Sequence, residues 1–285
     1  MQIKNFWYSY KNILNNTLQK NIFKFSTRIL GILYKFLIRY FRHNFSPKVI
    51  NLDKLEKKNF ENLDLNILFN KFNCDKGTFF YIDNQKIISH NYSVFYKKYF
   101  SFIKENKLDI LELGSHEGKG LAAFYFYFPL SNLIGANINP FQMKYKSRRI
   151  KELFVDVSSE RVLNNLSKHI EKGLDIIIDD ASHNLRDIII SFKVFFRKLK
   201  KGGIFVIEDI NQFKAFKELD PYNGTEITPK EILIKIQKKE NFKSSFINDE
   251  DKKYLIDNIA NIKIEKGSMV VNNINISEIA FIFKK

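Results

Sequence analysis

Residues 110–120 read Ile-Leu-Glu-Leu-Gly-Ser-His-Glu-Gly-Lys-Gly. A short apolar run, Leu108 to Leu113, reads as a buried strand. It carries an acidic residue, Glu112, near its end and runs straight into a turn with glycines at 114, 118 and 120. Glycine lets the backbone turn sharply and approach a ligand closely. The apolar stretch Leu121 to Phe128 then starts a helix. Strand, glycine turn and helix together make a nucleotide-type binding corner. The spacing, E-x-G-x-x-x-G-x-G, differs from the dinucleotide pattern G-x-G-x-x-G.

Working outward, three further strand-like runs follow at βαβ spacing: Asn132–Ile138, Leu174–Ile178 and Ile204–Ile207. The second ends in Asp179-Asp180; the third follows a Gly202-Gly203 turn and ends in Glu208-Asp209. Strands alternating with helical stretches predict an α/β, Rossmann-like, doubly wound parallel sheet. Ligands of such sheets sit outside the carboxyl ends of the strands. If the two acidic strand ends are neighbours, their carboxylates converge and raise one another's pKa. A hard divalent cation such as Mg²⁺ resolves that repulsion, because it favours carboxylate and water oxygens. His183, three residues beyond Asp180, is the nearby side chain able to take a proton near neutral pH.

The glycine turn resembles motif I of the class I S-adenosylmethionine (SAM) methyltransferases. The run IIIDDASHNLRD (176–187) followed by LKKGGIFVIEDI (199–210) resembles the metal-dependent sugar O-methyltransferases of the mycinamicin and macrocin type and the related cephalosporin hydroxylase-like family. Upstream, Cys74–Phe100 is similar to that family's D-K-G…H-x-Y segment, and Tyr127–Pro140 to its second strand, so the resemblance spans roughly 72–285. It implies Asp180, Glu208 and Asp209 as Mg²⁺ ligands and His183 as general base. Glu112 and the turn with Gly114, Gly118 and Gly120 would hold the methionine part of SAM. Asn137 would meet the ribose and Asp156 flank the adenine, with Asp179, His90 and Tyr92 bordering the cofactor. In two places the chain departs from the pattern: Ala181 stands for a glycine, and Asn137 for the acidic residue that usually accepts from the ribose hydroxyls. Asn accepts one such bond without the charge.

At 285 residues the chain can bury a full core plus an appendage. One cysteine, Cys74, excludes an intramolecular disulfide and any multi-cysteine metal site, and favours a reducing compartment. The net charge of +16 invites a nucleic-acid reading. However, a chain rich in Lys, Asn, Ile, Phe and Tyr also suits an AT-rich genome, and neither a proline-rich aromatic amino-methylation motif nor a K-D-K-E tetrad is present. Nucleic acid is therefore not the expected partner, and an RNA methyltransferase is the weaker alternative.

The charge is uneven. Residues 1–48 hold nine basic residues and no acid, leaving +7 for the other 237. Lys24, Arg28, Lys35, Arg39 and Arg42 fall near one helical face, with Ile22, Phe25, Ile29, Leu33, Phe36 and Tyr40 on another. Such a helix over residues 20–45 suits membrane-surface contact. Lys35 and Arg39 interrupt it too often for a spanning helix, and no small-residue cleavage site marks a signal peptide. A cytoplasmic protein is the expectation, with contact at the inner membrane face as one reading of this helix. The competing reading packs the helix on the catalytic domain or on a second copy, a homo-oligomer.

Ser46-Pro47 breaks that extension. Residues 49–105 read as a helical, aromatic-rich cap over the cofactor, and 106–285 as the SAM-binding domain. Two strand-like runs, Ala260–Ile264 and Glu278–Phe283, fit an antiparallel hairpin closing the sheet. Phe213–Asn248 is expected to carry acceptor specificity. The expected activity is SAM- and Mg²⁺-dependent methyl transfer to a hydroxyl of a sugar or nucleotide sugar, or of a surface-glycan precursor. The alternative of another class is a non-catalytic protein of this fold that binds glycan or membrane, which Asn137 keeps open.

Overall fold

The computed structural model describes residues 3–19, 25–46 and 48–285. Two helices come first, α1 (Ile3–Gln19) and α2 (Phe25–Phe45). Then follow β1 (Ile50–Asn51), α3 (Leu65–Lys71), β2 (Phe79–Ile82), β3 (Gln85–Ile88) and α4 (Ser93–Phe100). The alternating body runs β4 (Asp109–Leu113), α5 (Lys119–Tyr127), β5 (Asn132–Asn137), β6 (Tyr145–Lys146), β7 (Ile150–Phe154), α6 (Glu160–His169), β8 (Leu174–Asp179), α7 (Leu185–Phe196) and β9 (Leu199–Ile207). The last part holds α8 (Pro229–Lys238), α9 (Asp249–Asn258), β10 (Ile259–Lys266), β11 (Val270–Val271), β12 (Ile274–Asn275) and β13 (Glu278–Lys284).

Seven strands form one sheet in the order β10-β13-β9-β8-β4-β5-β7. β9, β8, β4, β5 and β7 pair in parallel, while β13 is antiparallel to both β9 and β10. Chain order turns outward in opposite directions from β4 and β8, so the crevice between their carboxyl ends is the topological switch point. The core lies on both faces of the sheet. In β8, Ile177 joins the cluster under α6, α7 and α8, while Ile176 and Ile178 join the one under α3, α4 and α5. β9 splits the same way, with Phe205 and Ile207 on one face and Ile204 and Val206 on the other. Burial on both faces is why these strands are nearly continuous apolar runs.

Local signals set the helix starts. Asn184 caps α7 by accepting from the Arg186 N–H at 3.1 Å, and Thr228 and Glu231 form a capping box at α8 with Pro229 in the first turn.

Three sequence expectations change. The Gly202-Gly203 turn lies inside β9, where Gly202 at φ +72° accommodates a register shift against β8. A side chain at Gly203 would meet the Asp175 carbonyl at 2.9 Å, so glycine serves a bulge instead of a turn. Residues 49–105 are not helical throughout, since β2 and β3 form a hairpin. Nor are they only a cap: Leu65, Phe69, Tyr96 and Phe100 are fully buried in the core against the sheet.

Expected residues 20–24 and Pro47 of the basic segment lie outside the described residues. Around them, α1 sits against β7, where Ser9 Oγ accepts from the Phe154 N–H at 3.2 Å. Tyr8 stacks on His169 at 4.1 Å between ring centroids. In α2, Phe36 is buried between Phe6 and Phe141, and His43 lies 2.9 Å from Glu152. Lys35, Arg39, Tyr34 and Phe41 stay exposed. No described helix is long and apolar enough to cross a membrane.

Candidate active site

A cavity of about 700 Å³ opens at the switch point, a size typical of small-molecule sites. Register brings the expected strand ends together: Asp179 lies opposite Leu113 of β4 and Ile207 of β9. The Asp180 N–H donates to the Leu113 carbonyl and the Glu208 N–H to the Asp179 carbonyl, each at 3.0 Å. Gly114, at φ +84°, turns the chain away, and a Cβ there would collide with the Asp180 carbonyl oxygen. Only glycine permits β4 and β8 to end this close together.

Of the residues expected at the cofactor, Glu112, Gly114, Gly120, Asn137 and Asp156 line the cavity. Glu112 is buried and its Oε2 has no hydrogen-bond partner. Burial pushes its carboxyl up to about 7. An orphaned buried carboxylate oxygen facing a cavity fits a cationic ligand group such as an α-ammonium. Asn137 uses its Oδ1 to accept from the Ile138 N–H at 2.8 Å. Asp156 is more occupied than expected: Oδ2 accepts from Asn16 of α1 at 2.8 Å and Oδ1 from the Ser158 hydroxyl at 2.5 Å.

Four residues expected to touch cofactor stand elsewhere. Gly118 caps α5 at φ +77°, outside the cavity lining and beside Met143. Asp179 points to α7 and accepts from the Ser191 hydroxyl; burial raises it to about 7. His90 and Tyr92 do not border the cavity. Both hold Asp209 Oδ1, the Tyr92 hydroxyl at 2.5 Å and His90 Nδ1 at 3.2 Å. They engage the Asp209 oxygen opposite the one turned to His183.

The acidic centre is gripped from below. Asp180 Oδ2 accepts from Lys76 Nζ, leaving Oδ1 turned to His183 Nε2 at 3.6 Å. Asp209 likewise keeps Oδ2 turned to His183 Nε2, at 3.9 Å. Glu208 has both oxygens engaged, Oε1 by the Tyr96 hydroxyl and Oε2 by Lys76 Nζ at 2.9 Å. Lys76 and Tyr96 were not expected here from the sequence. Lys76 was visible only as part of the D-K-G segment. Tyr92 and Tyr96, four apart, share one face of α4 and its N-terminal turn, a spacing the sequence does show.

One ammonium does not neutralise this group. Burial works against the Lys76 charge, but Asp180, Glu208 and Glu112 outweigh it and hold its pKa well above the lysine range. Burial, then Asp180, nevertheless keeps Glu208 well above the carboxylate range, and burial raises Asp180 despite Lys76 and His183. For Asp209 burial raises the pKa, but the hydrogen bonds from His90 and Tyr92 and the charges of His90 and His183 together outweigh it, and its pKa falls. Negative charge is left over, and among the described residues donor atoms of Asp180, His183 and Asp209 come within 4.8 Å of one another. The two carboxylates suit a hard divalent cation, and the imidazole stands beside them. His183 and Asp209 adopt left-handed backbone conformations, φ +54° and +52°, rare outside glycine and enriched at functional sites.

No family model matches this chain. Over 128 residues it is 26% identical to the 8-demethyl-8-alpha-L-rhamnosyl tetracenomycin-C 2'-O-methyltransferase of Streptomyces olivaceus, matching 42% of this chain and 33% of that protein. It is also 26% identical over 128 residues to the mycinamicin VI 2''-O-methyltransferase of Micromonospora griseorubida, with 42% and 32% covered. Among solved structures, the MycE methyltransferase from the mycinamycin biosynthetic pathway, in complex with Mg, SAH and mycinamycin VI, superposes with a TM-score of 0.57. Identity is 21%, covering 78% of this chain and 54% of that one. The matched region spans about a third of each curated relative's length. The chain has the class I methyltransferase fold and is similar in sequence to sugar O-methyltransferases.

Proposed function

We propose that this chain is a SAM- and Mg²⁺-dependent O-methyltransferase acting on a sugar hydroxyl. The observation that carries the reading is the pair of oxygens, Asp180 Oδ1 and Asp209 Oδ2, turned toward His183, where Asp180 and His183 line a cavity that Glu112 also lines. Glu112 would take the ammonium of the SAM amino acid, with the backbone of the Gly114–Gly120 turn beside it. Asn137 would accept from the ribose by giving up its bond to Ile138, and Asp156 would edge the adenine.

Asp180 and Asp209 would hold the divalent cation through their free oxygens, with Glu208 behind them as the third carboxylate. Bound there, Mg²⁺ supplies Lewis acidity that lowers the pKa of a coordinated hydroxyl. Mg²⁺ prefers oxygen, which leaves His183 Nε2 free to take the hydroxyl proton. The remaining gain comes from aligning acceptor oxygen, methyl carbon and sulfur, which the rigid strand ends favour.

The relatives' names place sugar-bearing molecules as acceptors for those proteins; for this chain a nucleotide sugar or surface-glycan precursor is proposed. The test is calorimetric titration with S-adenosylhomocysteine and Mg²⁺, followed by chelator-sensitive methyl transfer to sugars. Asp180→Ala and Asp209→Ala should each abolish transfer with the fold intact; full activity in either sinks the reading. A second reading, a non-catalytic protein of this fold, is favoured by the Asn137 oxygen already bonded to its own neighbour. A folded protein that binds no S-adenosylhomocysteine would establish it.

The exposed Tyr34, Lys35, Arg39 and Phe41 of α2 support a peripheral contact with anionic membrane. Equal recovery of protein with neutral and anionic liposomes would rule that contact out.

A further inference from the structure

Lys76 is 2% exposed, and its ammonium sits where three carboxylates meet. Its Nζ donates to Asp180 Oδ2, donates to Glu208 Oε2 at 2.9 Å, and lies 3.6 Å from Glu112 Oε1. These acids come from the ends of three adjacent strands, β4, β8 and β9. Glu112 belongs to the cofactor side of the cavity, and Asp180 and Glu208 to the acidic motif. No other described cation reaches this point: His183 and His90 address the far oxygens of Asp180 and Asp209. The close fit is built into the backbone. A Cβ on Gly120 would stand 2.7 Å from Glu112 Oε1 and 3.0 Å from Lys76 Cε, so glycine there makes room for the lysine stem and its acid.

We propose that Lys76 is a positioning residue of the methyl-transfer site, a fixed cation standing where a second divalent ion would otherwise be drawn. By gripping one oxygen of Asp180 it aims the other at His183. By gripping Glu208 and facing Glu112 it ties the cofactor wall to the acidic floor. Two-metal sites use the equivalent position, a few ångströms from the first ion, for a second cation. Here the covalently attached ammonium fills it, which leaves one exchangeable cation site per chain. The role in methyl transfer rests on the proposed function, but the cation-placeholder role is read on the free protein.

The experiment counts Mn²⁺ ions bound per chain, by calorimetry and electron paramagnetic resonance, for wild type and Lys76→Ala in the same buffer. Loss of the side chain leaves a hole ringed by Glu112, Asp180 and Glu208, so the variant should bind one Mn²⁺ more than wild type. n-Propylammonium, which restores the missing stem and charge, should displace the extra ion, whereas n-propanol should not. An unchanged count, or an extra ion indifferent to the amine, overturns the proposal. A wild type that binds no Mn²⁺ would refute the proposed metal dependence, yet the difference between the two proteins would still decide the role of Lys76. Lys76→Gln keeps the bulk and guards against a fold failure in the alanine variant. It should gain more thermal stability from Mn²⁺ than wild type does; an equal gain overturns the proposal as well.

Discussion

Tyr92 shows how a residue outside the cavity can govern what happens inside it. Its hydroxyl reaches Asp209 Oδ1 at 2.5 Å and its ring stacks beside His90 at 5.1 Å. Together they leave Asp209 a single free oxygen, so its direction depends on them. Partners that orient metal-binding carboxylates typically cost about 10–100-fold in metal affinity or activity when removed. Tyr92→Phe is therefore expected to weaken Mg²⁺ binding by roughly that factor, with S-adenosylhomocysteine affinity unchanged, as parallel titrations would show. A joint loss of both affinities would place Tyr92 at the cofactor instead. The acidic motif itself was legible because strand ends in such a sheet must converge. The grip on it was not, because a lysine in a polar loop gives no sign of burial until the fold encloses it. His90 and Tyr92 were legible as notable, but their turn toward Asp209 was not, since it depends on the path of the chain before β4.

At the scale of elements, α1 is held on α6 by a histidine. His169 stacks on Tyr8, and its ring nitrogen lies 3.1 Å from Asn5 Oδ1, a contact in which the imidazole N–H donates. Burial lowers the His169 pKa, and Lys4 lowers it further. The fold thus prefers the neutral ring. That contribution is complete above the unfolded-state pKa and is lost as pH falls through the folded value. Acidification should loosen α1 in a window below the usual histidine range. Trp7, the chain's one tryptophan, lies on α1 and reports it. Its emission should change reversibly as pH falls, and His169→Phe, which stacks without titrating, should flatten the change. A persistent transition in that variant would assign it to another group. The strands of the parallel sheet were readable as apolar runs bounded by polar ends. The hairpin of β2 and β3 was missed although its signal is present: Asp83 and Asn84, at φ +48° and +64°, form the left-handed pair that two-residue hairpin turns favour. The stretch Phe213–Asn248 carries turn signals and contains α8, and none of its residues lines the cavity at the switch point.

Across the whole molecule, one core joins α4, which precedes the alternating body, to β13, which follows it. Phe281 of β13 is fully buried and meets Tyr96, Tyr99 and Phe100 of α4, with ring centroids 5.7, 4.4 and 6.2 Å away. Phe281→Ala should destabilise the protein by roughly 3–5 kcal/mol, and α4 and the sheet should melt together in one denaturant transition. Two resolved transitions would show that residues 49–105 fold as a separate unit. The fold class was legible from strand spacing, but this shared core was not, since aromatic residues so far apart in sequence announce no contact. The place of β13, between β9 and β10 in the sheet, also has a consequence for synthesis. A nascent chain carrying everything through β10 still presents two unpaired strand edges, because the strand that joins them is translated afterwards. The carboxylates at the end of β9 therefore wait for residues 278–284 before their neighbourhood closes, and until then the exposed edges of β9 and β10 are open to chaperones and to pairing with other chains.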